Sequence, residues 1–105
     1  MILTAVEYQM ADGVVLRGDA YGASDRPPVL LLHGGGQTRH AWGGAATALA
    51  NAGFYAVAID QRGHGDSDWA PGNDYAITDF ATDMRMVAES FATPPASVGA
   101  SLGGL

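Results

Sequence analysis

The chain has no cysteine, few basic residues and no long apolar run. The lack of cysteine excludes disulfides, thiolate metal ligands and a cysteine nucleophile. Only 5 Lys and Arg stand against 11 Asp and Glu, for a formal net charge of −6. That charge would be repelled by nucleic acid and by an anionic membrane, so we expect neither as a partner. No apolar run approaches the roughly 20 residues that span a bilayer, and no signal peptide is visible, so we expect a cytoplasmic protein.

The strand signals predict a sheet that begins with a hairpin. Residues 4–10 and 14–21 have strand character on either side of Asp12-Gly13, which is a strong turn signal. Residues 29–32 and 54–59 are continuous apolar runs, typical of central strands that are buried on both faces. A weaker strand is predicted over 96–100, where valine is the one branched apolar residue.

Two helices are predicted between these strands. The first covers about 39–52 and ends at Gly53, and its apolar face would consist of Trp42, Ala45, Ala46, Leu49 and Ala52. The second begins at Thr78 as N-cap, with an apolar stripe of Phe80, Met84, Val87 and Phe91. The order β-β-β-α-β-α-β predicts an α/β fold over residues 1–105, with a mostly parallel sheet, an antiparallel N-terminal hairpin and flanking helices.

Residues 99–103 read Gly-Ala-Ser-Leu-Gly and match G-x-S-x-G, a sharp strand-to-helix turn that exposes a serine nucleophile. The glycines leave room where strand and helix backbones approach closely. The serine would stand at a helix N-terminus, where backbone N–H groups face developing negative charge. The alternative is a glycine-rich tail, but the preceding strand and the two upstream β-α units favour Ser101 as a nucleophile.

A second glycine run, His33-Gly34-Gly35-Gly36, follows the apolar strand 29–32. Glycines at this point let backbone N–H groups face a substrate oxygen without obstruction by side chains. In folds with the serine turn, one oxyanion donor lies here, and the other is the N–H after the nucleophile, which is Leu102. A phosphate-binding loop is disfavoured because no lysine follows and neither phosphate motif is complete.

The segment 60–68 reads Asp-Gln-Arg-Gly-His-Gly-Asp-Ser-Asp. His64 could act as a base, or could bind a metal together with Asp66 and Asp68. We favour a structural role, because polar side chains in such loops usually form hydrogen bonds with nearby backbone. His40, near the start of a helix, is likewise interpreted as a local contact. The sequence therefore predicts no metal site and no cofactor.

Three pieces of the sequence resemble the α/β-hydrolase fold family: residues 30–42, 58–68 and 98–105. The resemblance implies that Ser101 is the nucleophile, that Gly35 and Leu102 supply the oxyanion hole, and that 60–68 is a structural loop. It is greatest to esterases and to cofactor-free haloperoxidase-like hydrolases. Dehalogenases and epoxide hydrolases of this family use aspartate at the elbow, so Ser101 argues against both.

Nothing in these residues matches the triad acid or the triad histidine, both of which follow the serine in this family. We therefore expect a piece of a serine hydrolase that acts on a small ester or a similar acyl bond, with little or no turnover by itself. A haloperoxidase or perhydrolase, which uses the same triad, is the alternative among enzymes. A non-catalytic fragment or interaction module is the alternative outside them, since an incomplete sheet edge could allow self-association.

Overall fold

The structure is a computed structural model that describes residues 1–72 and 74–99. Strands β1 (Leu3–Gln9), β2 (Val15–Tyr21) and β3 (Pro28–Leu32) come first. A 3-10 turn, η1 (Arg39–Trp42), leads into helix α1 (Gly43–Asn51), followed by strand β4 (Tyr55–Ile59). Helix α2 (Ile77–Glu89) and strand β5 (Ala96–Gly99) complete the described order, which is the order that the sequence predicts.

The five strands form one mixed sheet in the order β1-β2-β4-β3-β5. The hairpin β1-β2 is antiparallel, and β2 also pairs antiparallel with β4. Strands β4, β3 and β5 are parallel to one another. The predicted α/β class, hairpin and parallel strands are therefore confirmed.

The central strands β3 and β4 are buried on both faces, because successive side chains of a strand point to opposite sides of the sheet. Leu30, Leu32, Val57 and Ile59 pack on the side of Val87 from α2. The alternate residues Val29, Leu31, Ala56 and Ala58 pack on the side of α1, against Ala46. In the described residues no helix is long and apolar enough to cross a bilayer.

Three details of the helix predictions are wrong. Helix α2 begins after Ala76, not at Thr78, and the Asp79 side chain accepts the Ala76 N–H at 3.0 Å. This bond satisfies one of the N–H groups at the helix terminus, and the N-cap residue, an alanine, contributes no side-chain hydrogen bond. The predicted first helix starts as the 3-10 turn η1. Ala45 and Ala52, predicted on its apolar face, are exposed.

Candidate active site

The carboxyl ends of three parallel strands meet at one edge of the sheet. Leu32, the last residue of β3, pairs with Ile59 of β4 and with Gly99 of β5. The segments that begin at His33 and Asp60 therefore leave the sheet side by side. In open α/β sheets, ligands bind outside the carboxyl ends of the strands. The predicted residues Ser101 and Leu102 lie outside the described residues.

Residues 34–37 form a tight turn directly after β3. The Gln37 N–H donates to the Gly34 carbonyl at 3.1 Å, and Gly36 has a φ of 78°, as the third residue of a type II turn requires. The Gly34 N–H donates to Gln37 Oε1 at 3.1 Å, and the Gly36 N–H donates to His64 Nε2 at 3.1 Å. The described residues offer no hydrogen-bond acceptor to the N–H of Gly35, which is exposed.

Two histidine rings connect this turn to the segment after β4. His33 Nε2 accepts the Gln61 N–H at 2.9 Å, and His33 Nδ1 lies 2.8 Å from the Gly34 carbonyl. His64 repeats the pattern: its Nε2 accepts the Gly36 N–H, and its Nδ1 lies 3.0 Å from the Arg62 carbonyl. A backbone N–H can only donate, so Nε2 accepts in each ring and the ring proton is assigned to Nδ1. Burial lowers the pKa of His33 and favours the neutral form.

Asp60, the first residue after β4, is fully buried and organises the loop 60–68. Its carboxylate accepts the backbone N–H of Arg39 at 2.6 Å and that of Asp66 at 3.0 Å, and it pairs with the Arg39 guanidinium. Burial alone would raise the pKa of this carboxyl, but these donors lower it below its ordinary value. Asp60 is therefore a fixed anion that joins the loop to η1.

Arg62 forms a buried ion pair with Asp83 of α2. Its Nε lies 2.6 Å from Asp83 Oδ2 and its NH2 nitrogen lies 2.7 Å from Oδ1, so the contact is bidentate. The two side chains are 3% and 2% exposed. A third nitrogen, NH1, donates to the Asp74 carbonyl at 3.0 Å. The hydrogen bonds that Arg62 donates to the Asp83 carboxylate raise the pKa of Arg62. The guanidinium thus ties the loop to α2.

The last two residues of the loop, Ser67 and Asp68, form hydrogen bonds with the backbone of β2. The Asp68 N–H donates to the Val15 carbonyl at 2.9 Å, and Asp68 Oδ2 accepts the Val15 N–H at 3.0 Å. The Ser67 hydroxyl oxygen accepts the Arg17 N–H at 2.8 Å and donates to the Asp60 carbonyl. Asp68 Oδ1 also lies 2.8 Å from Arg17 NH1. Asp68 is therefore occupied by β2 and does not converge with His64.

These contacts bear on the alternatives weighed for His64, Asp66 and Asp68. His64 makes the predicted contact with nearby backbone, and a second bond to the turn that was not predicted. Asp66 pairs with Arg39 at 2.8 Å. No group of three or more His, Asp or Glu side chains in the described part of the chain is placed to hold a metal. His40 is exposed on η1.

Sequence reasoning missed the partners that fix the loop, above all Asp83 and Gln61. Asp83 carried a readable signal: it lies three residues after Phe80 and four before Val87, so it shares their apolar stripe. A carboxylate on a buried helix face requires a cationic partner. Gln61 carried no comparable signal.

Comparisons with known proteins all indicate the same family. Residues 27–105 match the family model described as the alpha/beta hydrolase fold. The chain is 40% identical over 91 residues to RutD of Variovorax paradoxus, whose assignment as a carbamate hydrolase is provisional; the match covers 86% of this chain and 34% of the relative. It is 40% identical over 81 residues to an esterase of Mycobacterium tuberculosis, covering 75% of this chain and 26% of the esterase.

A solved structure gives the same result for the fold. The epoxide hydrolase VrEH1 of Vigna radiata superposes with a TM-score of 0.87 at 25% identity, over 96% of this chain and 31% of that one. The chain thus spans about a third or less of the length of the relatives that it matches.

Proposed function

Because this chain belongs to the α/β-hydrolase fold family, we propose that it supplies the nucleophile and the oxyanion hole of a serine hydrolase that acts on an ester or a similar acyl bond. Ser101 is the proposed nucleophile. The backbone N–H groups of Gly35 and Leu102 are the proposed oxyanion donors. The relatives named as hydrolases and esterases support the reaction class.

The observation that best supports this proposal is the unpaired N–H of Gly35. In the turn 34–37, the N–H groups of Gly34, Gly36 and Gln37 all have acceptors within the described residues, whereas that of Gly35 has none. A backbone donor without an acceptor, at an exposed residue of a hydrogen-bonded turn, is suited to a substrate oxygen that gains negative charge. Gly35 is three residues beyond Leu32 in sequence, and Ser101 is two beyond Gly99, the partner of Leu32 in the sheet.

The proposed mechanism is acyl transfer. The Ser101 hydroxyl oxygen attacks the carbonyl carbon, and the carbonyl oxygen becomes the oxyanion that accepts hydrogen bonds from Gly35 and Leu102. A base takes the serine proton and later returns it to the leaving group, which departs as the acyl-enzyme forms. Water then hydrolyses the acyl-enzyme and restores the free serine.

Neither His33 nor His64 is suited to be that base. Both rings use both nitrogens in bonds to backbone, and His33 is fully buried. A serine without an adjacent base is a weak nucleophile. We therefore expect the 105-residue chain by itself to hydrolyse esters slowly or not at all.

Epoxide hydrolases are also among the relatives, including epoxide hydrolase B of Mycobacterium tuberculosis at 35% identity. The resemblance described above implies aspartate at the elbow of such enzymes, whereas this chain has Ser101. An alkoxide nucleophile and oxyanion donors fit a planar carbonyl substrate, and so we favour acyl chemistry.

The test supplies the missing base from solution. The 105-residue chain is treated with a fluorophosphonate probe, with and without imidazole, and the labelled peptide is identified by mass spectrometry. We expect slow labelling of Ser101 alone, faster labelling with imidazole, and none in Ser101→Ala. Imidazole-dependent labelling that persists in Ser101→Ala would contradict the assignment of Ser101 as the nucleophile. Rapid turnover of an aryl ester without imidazole would contradict the expectation that the 105-residue chain lacks a suitable base.

A matched pair of variants tests the oxyanion donor. Gly35 occupies the second position of the turn, where proline is favoured, so Gly35→Pro removes the N–H and is compatible with the turn. Gly35→Ala retains the N–H and is the control. We expect imidazole-dependent ester hydrolysis to fall roughly 100-fold or more in Gly35→Pro relative to Gly35→Ala, the usual cost of one oxyanion donor. Equal rates in the two variants would exclude the Gly35 N–H as an oxyanion donor.

A further inference from the structure

His64 contacts the glycine turn at the residue that follows the proposed oxyanion donor. Its Nε2 accepts the Gly36 N–H at 3.1 Å, while its Nδ1 is held by the Arg62 carbonyl at 3.0 Å. The ring also packs against Phe80 of α2, with the ring centres 6.4 Å apart, and against His33, at 4.8 Å. The imidazole is thus held by its own loop, by α2 and by the segment after β3.

The two hydrogen bonds within the turn, both between Gly34 and Gln37, do not restrain its central peptide. Two consecutive glycines form its centre, and glycine loses more conformational freedom on ordering than any other residue. The bond from Gln37 to Gly34 closes the turn but does not fix the peptide plane between Gly35 and Gly36. Rotation of that plane interconverts turn types, because it reverses the directions of the Gly35 carbonyl and the Gly36 N–H. The Gly36 N–H belongs to this plane, and His64 is its acceptor.

We propose that His64 is a positioning residue, whose Nε2 accepts the Gly36 N–H and so keeps the turn 34–37 in the form in which the N–H of Gly35 is free to bind an oxyanion. The proposal rests on the proposed function for its consequence in catalysis. It assigns His64 a role other than base or metal ligand. Arg62 contributes indirectly, because its buried pair with Asp83 fixes the carbonyl that orients the ring.

The structure supplies an internal control for this role. His33 Nε2 accepts the Gln61 N–H at 2.9 Å in the same kind of N–H···N bond. A change that merely weakens the whole fold would affect the amides of Gly36 and Gln61 together. A change in positioning by His64 would affect Gly36 alone.

Two variants distinguish loss of the hydrogen-bond acceptor at His64 from the mere replacement of its imidazole ring. Glutamine places its Oε1 at about the reach of the histidine Nε2, so His64→Gln can still accept the Gly36 N–H. Asparagine reaches only as far as Nδ1, so His64→Asn cannot. By NMR, we expect amide exchange of Gly36 to accelerate about fivefold to tenfold in His64→Asn, the factor that an ordinary hydrogen bond implies. Exchange of Gln61 should not change, and His64→Gln should restore Gly36.

A measurement on the unmodified chain complements the variants. A scalar coupling between the Gly36 amide nitrogen and His64 Nε2 is expected, and its absence would overturn the proposal even if His64→Asn does not fold. Equal acceleration at Gly36 and Gln61, or failure of His64→Gln to restore Gly36, would also overturn it.

The link to catalysis has its own readout. Imidazole-dependent labelling of Ser101 should slow in His64→Asn and recover in His64→Gln. Labelling that is unaffected while the Gly36 bond is lost would refute the positioning role. No labelling of Ser101 in the unmodified chain would refute the proposed function, while the NMR experiments would still test the bond itself.

Discussion

The loop 60–68 and strand β5 lie on either side of β3 and β4, yet they are held in place in very different ways. The loop has buried charges at Asp60 and Arg62: Asp60 pairs with Arg39 of η1, and Arg62 pairs with Asp83 of α2 and with Asp12. All four residues of β5 are exposed, and the strand pairs with β3 by backbone. The oxyanion side of the proposed site is therefore fixed by tertiary contacts of the described residues, whereas the strand that leads to Ser101 has little side-chain packing among them.

The physical reason is the cost of burying charge. An unpaired ion in the interior is strongly unfavourable, so a buried aspartate and arginine persist only in conformations that satisfy nearly all of their hydrogen bonds. Those conformations are few, and so the loop has a defined geometry. Exposed side chains on β5 impose no such requirement.

The largest effect should come from breaking the buried ion pair. Asp83→Ala leaves the buried Arg62 guanidinium with only the partly exposed Asp12 carboxylate, 3.1 Å away, and should lower the free energy of unfolding by about 3 kcal/mol. Glu89→Ala is the control: it also removes a carboxylate from α2, but that carboxylate is 70% exposed and pairs with Arg85 at 3.6 Å. Its cost should stay within about 0.5 kcal/mol. Urea unfolding measures both, and similar losses would refute the distinction.

A comparable effect is expected from crowding Asp60. Gly65 has a φ of 50°, and an added Cβ would overlap the Asp60 carboxylate, so Gly65→Ala combines backbone strain with a clash. We expect a loss of about 3 kcal/mol. Gly72→Ala is the matched control, because Gly72 has a φ of 60° and nothing within 4 Å of an added Cβ. It should cost about 1 kcal/mol from strain alone. Equal melting temperatures for the two variants would count against the clash.

The smallest effect is expected in β5. It is tested by making the same valine-to-alanine substitution in β4 and in β5. Val57 of β4 is 0% exposed, and Val57→Ala should cost about 2 kcal/mol in transfer and cavity terms. Val98 of β5 is 44% exposed, and Val98→Ala should cost less than about 0.5 kcal/mol. Thermal unfolding of both variants provides the comparison. A large loss at Val98 would mean that β5 is packed more tightly than its exposure indicates.

Much of the fold could be predicted because its signals are local. The run Val29–Leu32 predicts a buried central strand, Asp12-Gly13 predicts the hairpin, and Gly53, with a φ of 96°, ends the first helix as expected. The N-cap of α2 could not be read in this way. The sequence offers Thr78, but the Asp79 carboxylate caps the helix from inside its first turn.

The candidate site shows the same contrast between local sequence signals and contacts that join distant residues. The amino-acid sequence by itself determined the family, and it predicted the kind of chemistry from a glycine run after a buried strand and from a serine flanked by glycines. These depend on residue type and spacing within a few positions. Only the tertiary structure decided that His64 holds the Gly36 N–H, that Asp60 anchors η1 and that Arg62 requires Asp83. Each of these contacts joins residues more than 20 positions apart, and it forms because a buried polar group must find a partner wherever the fold brings one near.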